Sequence, residues 1–134
     1  MEKITSRSNS LIKHMKKLFT SRRARTENSQ FALEGARLCF DALNSDCDPL
    51  VLLITENAYE KYKDKCLLLE KAFKRSFFIS EDIAAYLGET KTPQGVFAVC
   101  SKRKNNFLPE TGKKYIALDQ IQDPSNLGAI IRSA

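Results

Sequence analysis

Apolar and polar positions alternate along the 134 residues with spacings that change from segment to segment. After the run Ser8-Asn9-Ser10, which offers helix caps, Leu11, Ile12, Met15, Leu18 and Phe19 recur every three or four residues with Lys13, Lys16 and Lys17 between them. That spacing predicts an amphipathic helix with a basic outer face. Its stripe is short and a domain follows directly, so it reads as core and not as a membrane anchor. Thr20 to Asn28 is polar and arginine-rich, and reads as a loop or a frayed helix end. Phe31-Ala32-Leu33 predicts a short strand, and after Glu34-Gly35 a helix carries Ala36, Leu38, Cys39, Phe40, Ala42 and Leu43. The uninterrupted run Leu50–Ile54 suits a strand covered on both faces. Residues 56–73 are helical in character with a break near Asp64, 75–80 a strand, 81–88 a helix closed by Gly88, 92–95 ("TPQG") a turn and 96–100 ("VFAVC") a strand.

Strands and helices alternate throughout, which predicts an α/β layered domain with a largely parallel or mixed sheet, closing at about residue 100. Residues 101–114, with Pro109 and Gly112 among charged side chains, have the composition of a linker. "YIALDQI" (115–121) then predicts a fresh strand, and Asn126 onward a fresh helix. One strand and part of one helix cannot bury a core. Residues 115–134 are therefore expected to open a second α/β domain, and the chain is expected to be a fragment.

Charge sharpens this picture. Residues 1–25 hold eight cations (Lys3, Arg7, Lys13, Lys16, Lys17, Arg22, Arg23 and Arg25) against the single acid Glu2, a net +7; the other 109 residues carry 14 basic and 15 acidic groups, a net −1. Concentration of the whole excess in one segment is the footprint of a polyanion partner, and nucleic acid is favoured over a merely solvated helix face. The four cysteines have no Cys-x-x-Cys spacing and His14 is the only histidine, which speaks against a metal site and against a disulfide framework. No apolar run approaches the roughly 20 residues that span a bilayer. The first segment lacks a secretion signal's apolar core; it is basic and serine-rich enough for a mitochondrial presequence, but a cytoplasmic protein is the preferred reading.

Within "LDQIQDPSNLGAIIRSA", Asp123-Pro124 makes a turn and Ser125 or Asn126 a helix cap. Leu127, Ile130, Ile131 and Ala134 form the stripe, and Gly128 and Arg132 lie four apart on another face. A glycine costs a helix about 1 kcal/mol relative to alanine, tolerable where something approaches the backbone. The segment sits just past a strand's carboxyl end, where open α/β sheets bind ligands. A ligand site and an ordinary strand-turn-helix fit these residues equally well.

Asp123, Pro124, Ser125, Asn126, Gly128 and Arg132 together resemble the first signature motif of the SpoU (TrmH) family of RNA ribose 2′-O-methyltransferases. "FALEGARLCFDAL" resembles the Glu-Gly segment of that family's N-terminal substrate-binding domain, "TPQGVFAVC" its Pro-Gln-Gly strand entry, and "ITSRSNSLIKHMKKL" its opening. The resemblance implies a small α/β domain similar to a ribosomal RNA-binding protein (1–100), a linker (101–114) and the first strand and helix of a truncated α/β-knot methyltransferase domain (115–134). It implies RNA, rRNA or tRNA, as partner, S-adenosylmethionine as cofactor of the parent enzyme, and a homodimer through the catalytic domain. Arg132 is implied to act on the ribose 2′-hydroxyl and Asn126 to organise the site. The cofactor-binding residues are expected beyond residue 134, so residues 1–134 alone are expected to be inactive and not to bind the cofactor. The alternatives are a self-standing RNA-binding protein of ribosomal-protein-like fold, and a protein-interaction domain whose basic segment is incidental.

Overall fold

A computed structural model describes residues 1–89, 92–102 and 108–134, which fall into two compact units, Met1–Lys104 and Asn105–Ala134.

The first unit is built on a five-stranded mixed sheet of order β1-β4-β3-β5-β2. Its strands are β1 (Glu2–Ile4), β2 (Gln30–Glu34), β3 (Pro49–Thr55), β4 (Arg75–Ile79) and β5 (Val96–Ser101). β1, β4 and β3 run parallel, while β5 is antiparallel to both β3 and β2. The apolar run of β3 is buried on both faces, as its uninterrupted pattern demands. Val51 and Leu53 point into one core with Ile79, Phe97 and Val99; Leu52 and Ile54 point into the other with Val96, Ala98 and Cys100.

Helix α1 (Ser10–Thr20) covers the first face with Ile12, Met15 and Leu18, joined there by α6 (Glu81–Leu87) through Ile83, Ala84 and Leu87. Asn9 caps α1 by accepting from the Leu11 amide at 2.9 Å. The other face is covered by α3 (Ala36–Asp41), whose end tightens into a 3₁₀ turn at Ala42–Asn44, and by α4 (Glu56–Lys61) and α5 (Lys63–Ala72). The break expected near Asp64 falls at Tyr62.

Two expectations are corrected, and one strand that the sequence did not reveal is added. Residues 22–28 are not a loop but a helix, α2 (Arg22–Asn28). Ser21 caps its start and Ser29, at φ 50°, closes it in the left-handed region. It buries no residue, so it leaves no apolar stripe to read. Glu2–Ile4 forms an edge strand too short to show a period of two. Finally, "YIALDQI" forms no strand: within the described part of the second unit the only regular element is α7 (Pro124–Ser133). A strand is held by ladder bonds to a neighbour, and residues 115–121 have no neighbouring strand to supply them. β5 runs one residue past the expected boundary at 100, and residues 103–107 of the expected linker lie outside the described residues.

Candidate RNA interface

The eight N-terminal cations do not act as one patch. Lys3 Nζ lies 2.7 Å from Glu56 Oε2. Arg7 holds Asp82 with two bonds, Nε to Oδ2 at 3.0 Å and Nη2 to Oδ1 at 2.5 Å, and its guanidinium lies over the Tyr86 ring. Lys16 donates to the Leu87 carbonyl at 3.4 Å and shares the Tyr86 ring. Arg23 pairs with Glu27, one helical turn on. Arg25 donates to the Leu18 and Phe19 carbonyls at 2.8 and 3.0 Å, satisfying groups that the end of α1 would otherwise leave open. Lys13, Lys17 and Arg22 are exposed, and their side chains have no hydrogen-bond or ion-pair partner among the described residues. Lys13 and Lys17 are four apart on α1 and so share one face of it.

The sheet separates charge along its strands. At the carboxyl ends of β2, β3 and β4 stand Glu34, Glu56, Glu81 and Asp82, and this is where Lys3 and Arg7 are consumed. At the opposite end Arg75 opens β4, Lys74 pairs with Asp48, and Lys102 follows β5, its amide donating to the Ser29 carbonyl at 2.6 Å. The unpaired cations of α1 and the exposed Arg75 therefore leave the acid-rich end of the sheet to one side.

The two turn motifs singled out in the sequence meet at that acid-rich end and build a joint. Gly35 sits at φ 104° and Gly95 at φ 72°, conformations that side chains rarely adopt. Gln94 Oε1 accepts from the Ala36 amide at 3.1 Å, at the start of α3. The Gly95 carbonyl accepts from the Thr55 amide at 2.8 Å, while Thr55 Oγ1 accepts from the Ala58 amide at 3.1 Å and caps α4. "EG" and "TPQG" thus tie β2, β3 and β5 together, which is an architectural role.

The three thiols Cys39, Cys66 and Cys100 are buried in the second core and Cys47 packs against it; burial pushes Cys39 up and, with the neighbouring Cys47, pushes Cys100 up to about 12, so these are inert thiols.

In the second unit, Asp123 caps α7: its Oδ1 accepts from the Ser125 amide at 2.7 Å and from the Ser125 hydroxyl at 2.6 Å. These bonds hold the Asp123 carboxyl below its ordinary range. A Cβ at Gly128 would stand 3.3 Å from Arg132 Nη1, so the guanidinium lies along the bare backbone patch. Asn126 and Arg132 are both exposed. A groove of about 710 Å³ runs between α7 and the segment before it, lined chiefly by Tyr115, Ile116, Leu118, Ile130 and Ile131.

Comparison with known proteins agrees with the motifs. The chain is 34% identical over 137 residues to the 23S rRNA (guanosine(2553)-2′-O)-methyltransferase RlmP of Bacillus subtilis, covering 100% of this chain and 50% of that protein. A crystal structure of an RNA 2′-O ribose methyltransferase superposes with a TM-score of 0.74 at 27% identity, covering 98% of this chain and 50% of the other. The AdoMet-bound rRNA methyltransferase of Sinorhizobium meliloti gives 0.71 at 27% identity, over 98% of this chain and 49% of that one. The chain spans about half the length of these proteins. Residues 9–98 match the MRM3-like substrate binding domain, and the chain belongs to that family, within the SpoU (TrmH) RNA methyltransferases.

Proposed function

We propose that this chain is the RNA-holding part of an S-adenosylmethionine-dependent RNA ribose 2′-O-methyltransferase. Residues 1–100 grip the substrate, 101–114 link, and 115–134 begin the catalytic domain. The observation that carries the reading is the uneven use of the N-terminal cations: five are engaged inside the fold, while the side chains of Lys13, Lys17 and Arg22 stand exposed, without partners among the described residues, on consecutive helices. Three cations held ready for an external anion, in a member of a substrate-binding family, are suited to RNA phosphates. The ion pairs of Lys3 and Arg7 are exposed, and such pairs contribute at most about 1 kcal/mol, so they do not bar those side chains from a secondary role. Replacing Lys13, Lys17 and Arg22 together with alanine is expected to weaken binding about tenfold or more for every RNA alike, because phosphate contacts position without reading sequence. Filter binding of several unrelated RNAs checks this; full affinity in the triple variant contradicts it.

The complete enzyme acts in the cytoplasm as a homodimer through its catalytic domain. S-adenosylmethionine supplies the methyl group there. The groove beside α7 is walled chiefly by apolar side chains, with Lys114 and Ser133 beside them, and no acidic side chain lines it to meet an ammonium or a ribose, so its lining does not fit that group. The contribution of this chain to the chemistry is Arg132, which lies beside Gly128, with Asn126, exposed in the first turn of α7, helping to organise the site. A guanidinium is a poor base; Arg132 polarises the ribose 2′-hydroxyl or fixes the adjoining phosphate with its planar fork. In the full-length enzyme, Arg132→Ala is expected to lower the single-turnover methylation rate at least about a hundredfold while leaving cofactor affinity within about twofold. An equal loss in both would place Arg132 in the cofactor site instead.

A further inference from the structure

A groove of about 460 Å³ lies between α1 and the strands β1 and β4, within the size range of ligand sites. Its walls include Glu2, Asn9, Ser10, His14, Arg75 and Phe77. Glu2 and Phe77 are paired across β1 and β4, and the Arg75 guanidinium lies 5.1 Å above the centre of the Phe77 ring. His14 Nε2 lies 2.7 Å from Gln30 Oε1. An amide oxygen only accepts, so Nε2 is the donor, and in the neutral ring Nδ1 is left as an acceptor. Lys13 and Lys17, one and three residues from His14 on α1, are both exposed and share one face of that helix.

These parts are those by which single-stranded RNA is read: a planar cation backed by an aromatic ring, acceptors at the edge and free cations alongside. A second crevice, of about 430 Å³, opens at the carboxyl ends of β3 and β4 and is lined by Asn57, Lys61, Tyr62, Glu81 and Gln94. In its wall Glu81 offsets Lys61, and the cations that reach this end of the sheet, Lys3 and Arg7, are already paired with Glu56 and Asp82. Charge therefore selects the first groove.

We propose that the groove between α1 and β1/β4 holds one unstacked nucleobase of the RNA, stacked on the Arg75 guanidinium, while Lys13 and Lys17 take the flanking phosphates. This rests on the RNA-holding reading above. His14 Nδ1 and the Glu2 carboxylate are both acceptors, so the site favours a base that carries an exocyclic amine over uracil.

The test is fluorescence anisotropy of the whole chain with short labelled oligo(C) and oligo(U). Arg75 is exposed, so its variants are expected to keep the wild-type melting curve. Arg75→Lys keeps the charge and removes the plane; it is expected to weaken oligo(C) binding about tenfold with the salt dependence unchanged. Wild type is expected to prefer oligo(C) to oligo(U), and His14→Ala to lose most of that preference. Wild-type affinity in Arg75→Lys, or equal binding of the two oligonucleotides by wild type, overturns the proposal. If Lys13→Ala/Lys17→Ala still weakens both oligonucleotides in that case, the RNA-holding reading stands and only the groove falls. If neither that variant nor Arg75→Lys changes binding, both readings fall.

Discussion

At Gly95 a single missing Cβ holds three strands in register. A Cβ there would stand 2.5 Å from Thr55 Oγ1 and 3.1 Å from Ala58 Cβ, and the backbone sits at φ 72°. Gly95→Ala is therefore expected to combine steric displacement of a helix cap with an unfavourable backbone conformation, and to destabilise the first unit by about 2–3 kcal/mol. Urea unfolding checks this; a change below about 0.5 kcal/mol would show that the joint yields. The sequence revealed "TPQG" as a turn but not what the turn grips, because Thr55 and Gly35 reach it only through the fold. The same holds for the cations. All eight were visible as a cluster, yet only tertiary structure brings Asp82 to Arg7 and Glu56 to Lys3, and so distinguishes spent cations from free ones. Arg75 and Phe77 were read only as part of a strand, since neither lies within the basic segment.

At the scale of elements, legibility followed burial. β3, with both faces covered, and α1, with Ile12, Met15 and Leu18 on one stripe, announced themselves through their periodicity. α2 buries no residue and showed no stripe, whereas α7, also without a buried residue, was legible from the stripe Leu127, Ile130 and Ile131 and from its capping chemistry. For α7 that chemistry has a consequence in pH. Accepting from the Ser125 hydroxyl and amide keeps Asp123 ionised, and its folded pKa is depressed below the unfolded value. The stabilisation of the helix start is thus complete above the ordinary carboxylate pKa, about 4, and is lost as pH falls through the lower folded pKa. NMR of the amides of Ser125 and Asn126 is expected to show this first turn loosening on acidification below about pH 4 while Ile130 and Ile131 change later. Simultaneous loss along the whole helix would show that the Asp123 cap does not govern its start. The strand expected at 115–121 misled for the complementary reason: alternation and β-branched residues describe a fit to a sheet, and the fit needs the sheet.

Over the whole molecule, the sequence identified the α/β class, the family and the basic segment, while the fold decided where that charge is usable. The first unit sets Glu34, Glu56, Glu81 and Asp82 at the carboxyl ends of β2, β3 and β4, and Lys13, Lys17, Arg22 and Arg75 on α1, α2 and the opening of β4. That separation turns a net charge of +6, which alone speaks only of polyanions in general, into a particular surface. The measurement that tests it most directly is a salt titration of RNA binding by the whole chain, alongside the variant with alanine at Lys13, Lys17 and Arg22. With three cations on phosphates, log K is expected to fall with log salt at a slope of about −2 to −3, and the triple variant's slope is expected to flatten towards about −1 or less. A wild-type slope near zero, or an unaltered slope in the variant, would contradict the assignment of this surface to RNA.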